Sequence, residues 1–210
     1  MHVMLIHGQG RTPWSMRLLG YRLKRRGCLV HYFGYAAWAE SFAHITDRFV
    51  RTVQRKVADY PYLVVSHSLG GLITRAALPR LRANPPRQLI MLAPPNRSPW
   101  LAKRLAPNRV YRLLTGDCGQ KLADESFYQV LPVPQGPVTI IAGTRNALGL
   151  LSPLGGQAND TILTVDETRL AGIEVVQVAA THAFIMNSSQ VAEIILSLTA
   201  SLSLDRSVSF

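Results

Sequence analysis

Cysteines and long apolar runs are both scarce in this sequence of 210 residues. Its two cysteines, Cys28 and Cys118, lie far apart and belong to no ligand cluster, which argues against a disulfide scaffold and against a zinc site. No apolar run approaches the ~18 residues that a membrane-spanning helix needs. The N-terminal stretch MHVMLIHG is short and lacks the basic start of a signal peptide. We therefore expect a soluble, cytoplasmic protein.

Acidic residues are also few, since 12 Asp and Glu stand against 23 Lys and Arg and give a net charge of +11. Such an excess favours contact with nucleic acids or anionic membranes. The basic residues are scattered along the chain, apart from short clusters such as Arg25-Arg26 and the stretch from Arg97 to Arg112. No aromatic residues alternate with them in a base-stacking pattern. We expect a solvated basic surface and no nucleic acid partner.

Six short apolar segments alternate with segments of helical period, and the composition of 48% apolar residues is typical of one folded domain over residues 1–210. The predicted strands are 2–7, 28–35, 62–67, 88–93, 138–143 and 173–180. Helices are predicted from Thr12 to Gly27 and over 39–58, 72–81 and 191–202. Most strands are apolar at consecutive positions, as parallel strands covered on both faces are. The alternation predicts the α/β class, with a mostly parallel sheet between helices.

One connection, residues 94–135, is longer than a single crossover helix requires. It interleaves apolar and basic side chains, namely Trp100, Leu101, Leu105, Tyr111 and Leu113 with Lys103, Arg104, Arg109 and Arg112. We expect a small cap over one end of the sheet, with its apolar side chains inward and its arginines outward. Those arginines would then contact anionic lipid headgroups at a membrane surface. The serine-rich segment from residue 201 is expected to be a frayed terminus.

The segment LVVSHSLGG at 63–71 contains the candidate nucleophile. Ser68 follows a predicted strand and has small residues two positions before and after it, Ser66 and Gly70, as a sharp strand-to-helix turn requires. Ser66 fits this role less well, because Val64 and Ser68 flank it at the same positions. A simple turn is the alternative interpretation. A base, an acid and oxyanion donors should therefore accompany Ser68 if it is a nucleophile.

Six histidines are candidates for the base. His182 directly follows the last predicted strand, at the edge where a doubly wound sheet presents side chains to a ligand. The others lie in predicted strands, in a helix or in turns: His2, His31, His44, His7 and His67. His7 and His67 are close to the site, but each belongs to its own turn. His182 is therefore the predicted base.

The acid is expected between the strand at 138–143 and His182, because the order serine, acid, histidine is usual along this kind of sheet. Four carboxylates qualify: Asp160, Asp166, Glu167 and Glu174. We choose Asp160, which lies in the turn-rich loop GGQANDTILTV, and Asp166 is the main competitor. The alternative role for Asp160 is that of a turn residue.

The oxyanion hole is predicted from two backbone N–H groups. The segment HGQGRTPWSM at 7–16 joins the first strand to a helix, so its amides can point toward the carboxyl end of the sheet. We expect the N–H of Gln9 to act together with the N–H of Leu69, the residue after the candidate nucleophile. Gly8 and Gly10 as simple turn residues are the alternative.

Together these motifs resemble the α/β-hydrolase superfamily and, within it, small bacterial lipases and esterases. The resemblance covers nearly the whole chain, through LIHGQGRTPWSM, SHSLGG, LAPPNRSP, IAGTRN, NDTILTVDET and THAFIM. It implies a minimal α/β-hydrolase fold of about six strands with a cap near 94–135. It also implies Ser68 as nucleophile, Asp160 as acid, His182 as base, and the amides of Gln9 and Leu69 as oxyanion donors.

The chain departs from the family pattern at two positions. Ser66 stands where the nucleophile turn usually has glycine, and Thr161 stands where the acid loop more often has glycine. Neither exchange removes a catalytic group, although each affects local geometry.

The resemblance implies a serine hydrolase that cleaves carboxylic esters of small molecules or lipids without a metal or other cofactor. Two alternatives remain open. An acyltransferase would use the same acyl-enzyme with an alcohol or amine acceptor, and a binding module would keep the fold without catalysis.

Overall fold

The computed structural model describes residues 1–204 and places all six predicted strands in one sheet. The strands are β1 (His2–Ile6), β2 (Leu29–Phe33), β3 (Tyr62–His67), β4 (Gln88–Leu92), β5 (Val138–Gly143) and β6 (Val175–Val178). Their spatial order is β2-β1-β3-β4-β5-β6, and every neighbouring pair is parallel. The predicted α/β class with a parallel sheet is confirmed.

Helices cover both faces of this sheet. The described part of the chain holds α1 (Arg17–Lys24), α2 (Phe42–Val57), α3 (Leu69–Ala77), α4 (Trp100–Leu105), α5 (Arg109–Ala123), α6 (Glu125–Val130) and α7 (Ser189–Leu204). In β1, Val3 and Leu5 join the core beneath α1 and α7, whereas Met4 and Ile6 join the core beneath α2 and α3. Because alternate residues enter two separate cores, the strand sequences are apolar at consecutive positions.

All four predicted helices begin at other residues than expected, since α2 begins at Phe42 rather than at residue 39 and α7 at Ser189 rather than at residue 191. The chain after Thr12 first forms a 3-10 turn at Pro13–Met16, and the Thr12 side chain makes no capping hydrogen bond. The third helix begins at Leu69 rather than at residue 72 and ends at Ala77. It starts earlier because the sharp turn at Ser68 directs the chain straight from β3 into the helix.

The predicted cap segment contains α4, α5 and α6 and joins the carboxyl end of β4 to β5. Its longest helix, α5, is kinked at Gly116, where φ is 57° and ψ is −151°. A Cβ atom at Gly116 would lie 2.9 Å from the carbonyl oxygens of both Ala37 and Trp38. Glycine is therefore required for this close approach between α5 and the loop that follows β2.

A buried guanidinium group on α3 connects both ends of the 94–135 segment. Arg75 is 2% exposed and donates hydrogen bonds to the carbonyl oxygens of Pro132 (3.0 Å) and Leu131 (3.1 Å) and to Oδ1 of Asn96 (3.1 Å). Asn96 Nδ2 in turn donates to the carbonyl oxygen of Thr168 at 2.8 Å. Burial lowers the pKa of Arg75 to about 10, so the group stays charged at neutral pH. The 94–135 segment is thus anchored to the core near both of its ends.

The Arg75→Met variant should lower the free energy of unfolding by about 3 kcal/mol, because three acceptors lose their donor and two of them are buried. Urea unfolding followed by circular dichroism measures this. Arg82→Met is the matched control, since Arg82 is exposed, and it should change the free energy by less than about 0.5 kcal/mol. Equal effects of the two substitutions would contradict the anchoring role of Arg75.

No helix within residues 1–204 is long and apolar enough to cross a membrane. The serine-rich segment from residue 201 continues α7 as far as Leu204. The rest of the expected frayed terminus, residues 205–210, lies outside the described residues.

Candidate active site

Ser68 lies at the turn between β3 and α3 with a φ of 50° and a ψ of −123°. A non-glycine residue in this region carries a strain of about 1–3 kcal/mol. Its backbone N–H donates to the carbonyl oxygen of Leu92 at 2.9 Å, which fixes the turn against β4. A Cβ atom at Gly70 would lie only 2.7 Å from the carbonyl oxygen of His7. The small residue two positions after Ser68, Gly70, is therefore required because it packs against the segment after β1.

His182 follows β6 and contacts both other predicted members of the triad. Its Nε2 lies 3.0 Å from Ser68 Oγ, and its Nδ1 lies 2.7 Å from Asp160 Oδ2. The backbone N–H of His182 also donates to the carbonyl oxygen of Asp160 at 2.8 Å. Since the carboxylate accepts at Nδ1, the neutral ring carries its hydrogen there and offers Nε2 as an acceptor to the serine hydroxyl.

The Asp160 carboxylate is 1% exposed and is held by backbone donors. Its Oδ1 accepts from the N–H groups of Ile162 (3.0 Å) and Leu163 (2.7 Å), which leaves Oδ2 for His182. A Cβ atom at Gly143 would lie 2.8 Å from Asp160 Cβ, so the glycine at the end of β5 allows the acid loop to approach. These three hydrogen bonds satisfy the buried carboxyl group and fix its orientation.

The competing acids lie away from His182. Asp166 has a side chain that is 61% exposed and forms an ion pair with Arg97 at 2.8 Å. Glu167 accepts the backbone N–H of Trp100 at 2.6 Å, at the start of α4. Glu174 is exposed. The structure therefore brings Asp160, and none of these three, against the histidine ring.

The two departures from the family pattern are accommodated by hydrogen bonds. Ser66 is buried, and its hydroxyl donates to the carbonyl oxygen of Ile90 at 3.3 Å. Thr161 has a φ of 91°, a value that favours glycine. Its hydroxyl oxygen accepts the backbone N–H of Ala147 at 2.8 Å and lies 3.5 Å from the carbonyl oxygen of Arg145. These bonds fasten the acid loop to the segment after β5.

Of the two residues with the predicted oxyanion donors, Gln9 lines the same cavity as Ser68, and Leu69 directly follows Ser68. Among the loop and turn hydrogen bonds of residues 1–204, none is donated by the backbone N–H of Gln9 or Leu69. Leu69 is the first residue of α3, so its N–H has no acceptor within the helix. A Cβ atom at Gly8 would lie 2.8 Å from His67 Nδ1 and 2.9 Å from Ser68 Cβ. The loop with Gln9 thus packs directly against the turn that carries Ser68.

His67 has a contact that the sequence did not indicate. Its ring is 2% exposed, and its Nε2–H donates to the carbonyl oxygen of His182 at 3.0 Å. Burial, with a smaller effect from the neighbouring His182, lowers the pKa of His67 well below its usual value. The ring is therefore neutral and holds the loop that carries His182. Its position next to the serine was the only signal in the sequence.

His7 has the structural role expected from its turn. Its Nδ1–H donates to the carbonyl oxygen of Gly8 at 2.8 Å, and its Nε2 accepts the backbone N–H of Tyr35 at 3.2 Å. Burial lowers the pKa of His7, which keeps the ring neutral. It therefore fixes the loop that leads to Gln9.

An open cavity of about 360 Å³ lies over Ser68 at the carboxyl end of the sheet. Its walls are mostly apolar, with polar groups confined to a few positions that include Ser68, His182, Gln9 and Arg11. Such a lining is typical of a small-molecule site.

A larger cavity of about 520 Å³ lies beside the amino ends of β4 and β5 and contains none of the predicted site residues. Within residues 1–204, no group of three or more His, Cys, Asp or Glu side chains is arranged to hold a metal ion.

The 94–135 segment contributes part of the wall of the cavity over Ser68. Three of the five apolar side chains expected to face inward line it, namely Leu101, Leu105 and Tyr111. The expectation is wrong for Trp100 and Leu113, which are 44% and 77% exposed. In α5, Tyr111 and Thr115 are four residues apart and share the cavity face, so Leu113 lies on the other side of the helix.

No protein-family model and no curated protein sequence matches the chain. Several solved structures do. The mature form of a lipase from Bacillus licheniformis matches with a TM-score of 0.73 and 16% identity, over 93% of this chain and 90% of that one. A metagenomic carboxyl esterase matches with a TM-score of 0.69 and 14% identity, over 87% of this chain and 64% of that one.

Phospholipase PlaB from Legionella pneumophila is another similar structure, with a TM-score of 0.64 and 18% identity. The match covers 80% of this chain but 46% of that one, so the chain spans about half the length of this phospholipase. At such identities the likeness establishes the architecture alone. Together with the six parallel strands and the helices on both faces, it identifies the chain as having the α/β-hydrolase fold.

Proposed function

We propose that this protein is a serine hydrolase that cleaves carboxylic esters, with Ser68 as nucleophile, His182 as general base and Asp160 as the acid that orients it. The observation that carries the proposal is the continuous chain of contacts from Ser68 Oγ through His182 (3.0 Å) to Asp160 (2.7 Å). The strained turn at Ser68 adds support, because backbone strain of this kind is concentrated at functional sites.

In the proposed mechanism, Ser68 Oγ attacks the ester carbonyl carbon while His182 Nε2 takes the hydroxyl proton. The N–H groups of Gln9 and Leu69 donate to the oxyanion that forms. Asp160 accepts the Nδ1–H bond and stabilises the imidazolium. His182 then gives its proton to the leaving alcohol, the C–O bond breaks and an acyl-enzyme remains. Water, activated by the same ring, releases the acid and restores the serine.

Residues 94–135 act in this proposal as the cap of a single hydrolase domain that spans residues 1–210. Leu101, Leu105 and Tyr111 supply an apolar wall for the acyl part of a small-molecule or lipid ester. Removing apolar surface of the substrate from water stabilises binding by roughly 25 cal/mol per Å². The proposed substrate class is therefore carboxylic esters with an apolar acyl group.

The Ser68→Ala variant should fold normally and lose ester turnover, because the nucleophile is absent. The measurements are hydrolysis of a panel of esters from short to long acyl chains and labelling by a fluorophosphonate probe. Wild-type protein should be labelled at Ser68, and the variant should not. Turnover like wild type in the variant would disprove the assignment, and a wild-type protein that is neither labelled nor active would indicate a binding module. Ester products formed with an added alcohol would identify an acyltransferase.

The Asp160→Asn variant should lose on the order of 10⁴ in kcat, because an amide favours the wrong tautomer of the histidine ring. Asp166→Asn is the matched control. Its side chain is exposed and paired with Arg97, so its kcat should stay within about tenfold of wild type, about 1.4 kcal/mol in the activation free energy. Steady-state kinetics on one ester measures both. The reverse order of the two variants would show that Asp166 is the acid.

The basic outer face of the cap supports a further part of the proposal, a peripheral contact with an anionic membrane surface. Arg104, Arg109 and Arg112 form no ion pair with any of the residues 1–204. Beside them, Leu113 and Leu114 are 77% and 66% exposed. Exposed aliphatic groups among unpaired arginines match the chemistry of an anionic bilayer surface.

The double variant Arg109→Gln/Arg112→Gln should bind anionic vesicles on the order of 30-fold more weakly, at about 1 kcal/mol for each arginine. Flotation with phosphatidylcholine vesicles, with and without phosphatidylglycerol, measures this. Wild-type binding should fall as salt rises from about 50 mM to about 500 mM. Arg25→Gln/Arg26→Gln, which removes the same charge at the far end of α1, should bind like wild type. Binding that ignores salt or lipid charge would contradict the proposal.

A further inference from the structure

Arg11 is the one lining residue of the 360 Å³ cavity, within residues 1–204, that carries a permanent charge. It belongs to the same loop as the Gln9 amide and is two residues beyond it. The rest of the lining consists of apolar side chains, uncharged polar groups and two histidines. Arg11 is only partly buried, so its guanidinium can lie in an open, mostly apolar cavity without a carboxylate beside it.

The guanidinium group is held in position without a carboxylate partner. Its Nη2 donates to the carbonyl oxygen of Ala183 at 2.9 Å, and the group lies 5.8 Å from the centre of the Phe184 ring. In the described part of the chain, Arg11 forms no ion pair. One of its five N–H donors is thus satisfied by this carbonyl, and the positive charge remains available to a ligand.

The position of Arg11 indicates which part of a substrate it would contact. Ala183 directly follows His182, and His182 protonates the leaving alcohol in the proposed mechanism. The guanidinium is therefore bonded to the residue that follows the proposed base, and we assign it to the alcohol part of the substrate. The apolar wall of Leu101 and Leu105 belongs to the cap, and it suits the acyl group.

We propose that this cavity selects esters whose leaving alcohol carries an anionic group, with phosphate as the preferred one, and that Arg11 is the residue that recognises it. The inference rests on the proposed hydrolase function. Guanidinium groups bind phosphate oxygens through two parallel, charge-assisted hydrogen bonds. The net charge of +11 would also concentrate anionic substrates near the protein. Hydrolysis would release the acyl group as a carboxylic acid and the alcohol with its phosphate intact.

The test compares glycerol 1-butyrate with glycerol 1-butyrate 3-phosphate, two esters that differ in the phosphate alone. The wild-type kcat/KM should be at least about tenfold higher for the phosphorylated ester. Arg11→Gln should lower the ratio of the two kcat/KM values by about 10- to 100-fold, and Arg11→Lys should retain part of it. Arg17→Gln is the matched control, because Arg17 does not line the cavity, and it should leave the ratio unchanged. An equal proportional loss on both esters would mean that Arg11 merely holds the loop after His182, and would overturn the proposal.

A binding measurement separates this inference from the proposed catalysis. Calorimetry with the Ser68→Ala variant should show tighter binding of the phosphorylated ester, and Arg11→Gln/Ser68→Ala should lose that difference, even if the protein hydrolyses neither ester. Inorganic phosphate alone serves as a competitor. If it binds with the same affinity as the phosphorylated ester and the two esters are turned over equally, the site is an independent phosphate site and the proposal is wrong.

Discussion

The positive φ of Ser68 is the constraint on which the geometry of the whole site depends. Its strain of about 1–3 kcal/mol persists because β3 and the start of α3 are buried on all sides. Around this turn a Cβ atom at position 8 would meet the side chains of His67 and Ser68, and one at position 70 would meet the carbonyl oxygen of His7, which is why glycine occupies both positions. A larger residue at either position would push the loop that carries Gln9 away from Ser68. The position of the loop that carries Gln9 therefore depends on the turn itself.

Burial determines the charges of the groups that surround this turn. His7 and His67 are neutral because burial lowers the pKa of each ring. The rings of His67 and His182 are 5.0 Å apart. Because His67 is neutral, a positive charge on the His182 ring would not be repelled by this neighbour. The Asp160 side chain is also buried, and three N–H donors replace the water that its oxygens lose. Two neutral rings and a carboxyl group bonded to three N–H donors therefore surround the turn.

The parts of the fold that depend on local patterns were predictable, and the parts that depend on distant contacts were not. All six strands were predicted, because residues such as Val3 and Met4 are both buried, on opposite faces of the sheet. The start of α3 was predicted three residues late, since its position depends on the turn at Ser68. The spatial proximity of Ser68, Asp160 and His182 was expected, and their catalytic roles stay a prediction. Arg11 and Arg75 were not singled out, because their partners lie far along the chain and arginine is abundant in it.

The acid loop shows how a departure from a family pattern can be compatible with the same geometry. Thr161 has a φ of 91°, which costs free energy for any residue with a Cβ atom. Its hydroxyl accepts the N–H of Ala147, and its own N–H donates to Asn159 Oδ1 at 3.0 Å. Glycine would relieve the strain but would remove the hydroxyl that ties this loop to the segment after β5. Because the loop is fastened on both sides of Asp160, the carboxylate keeps its direction toward His182 without the glycine.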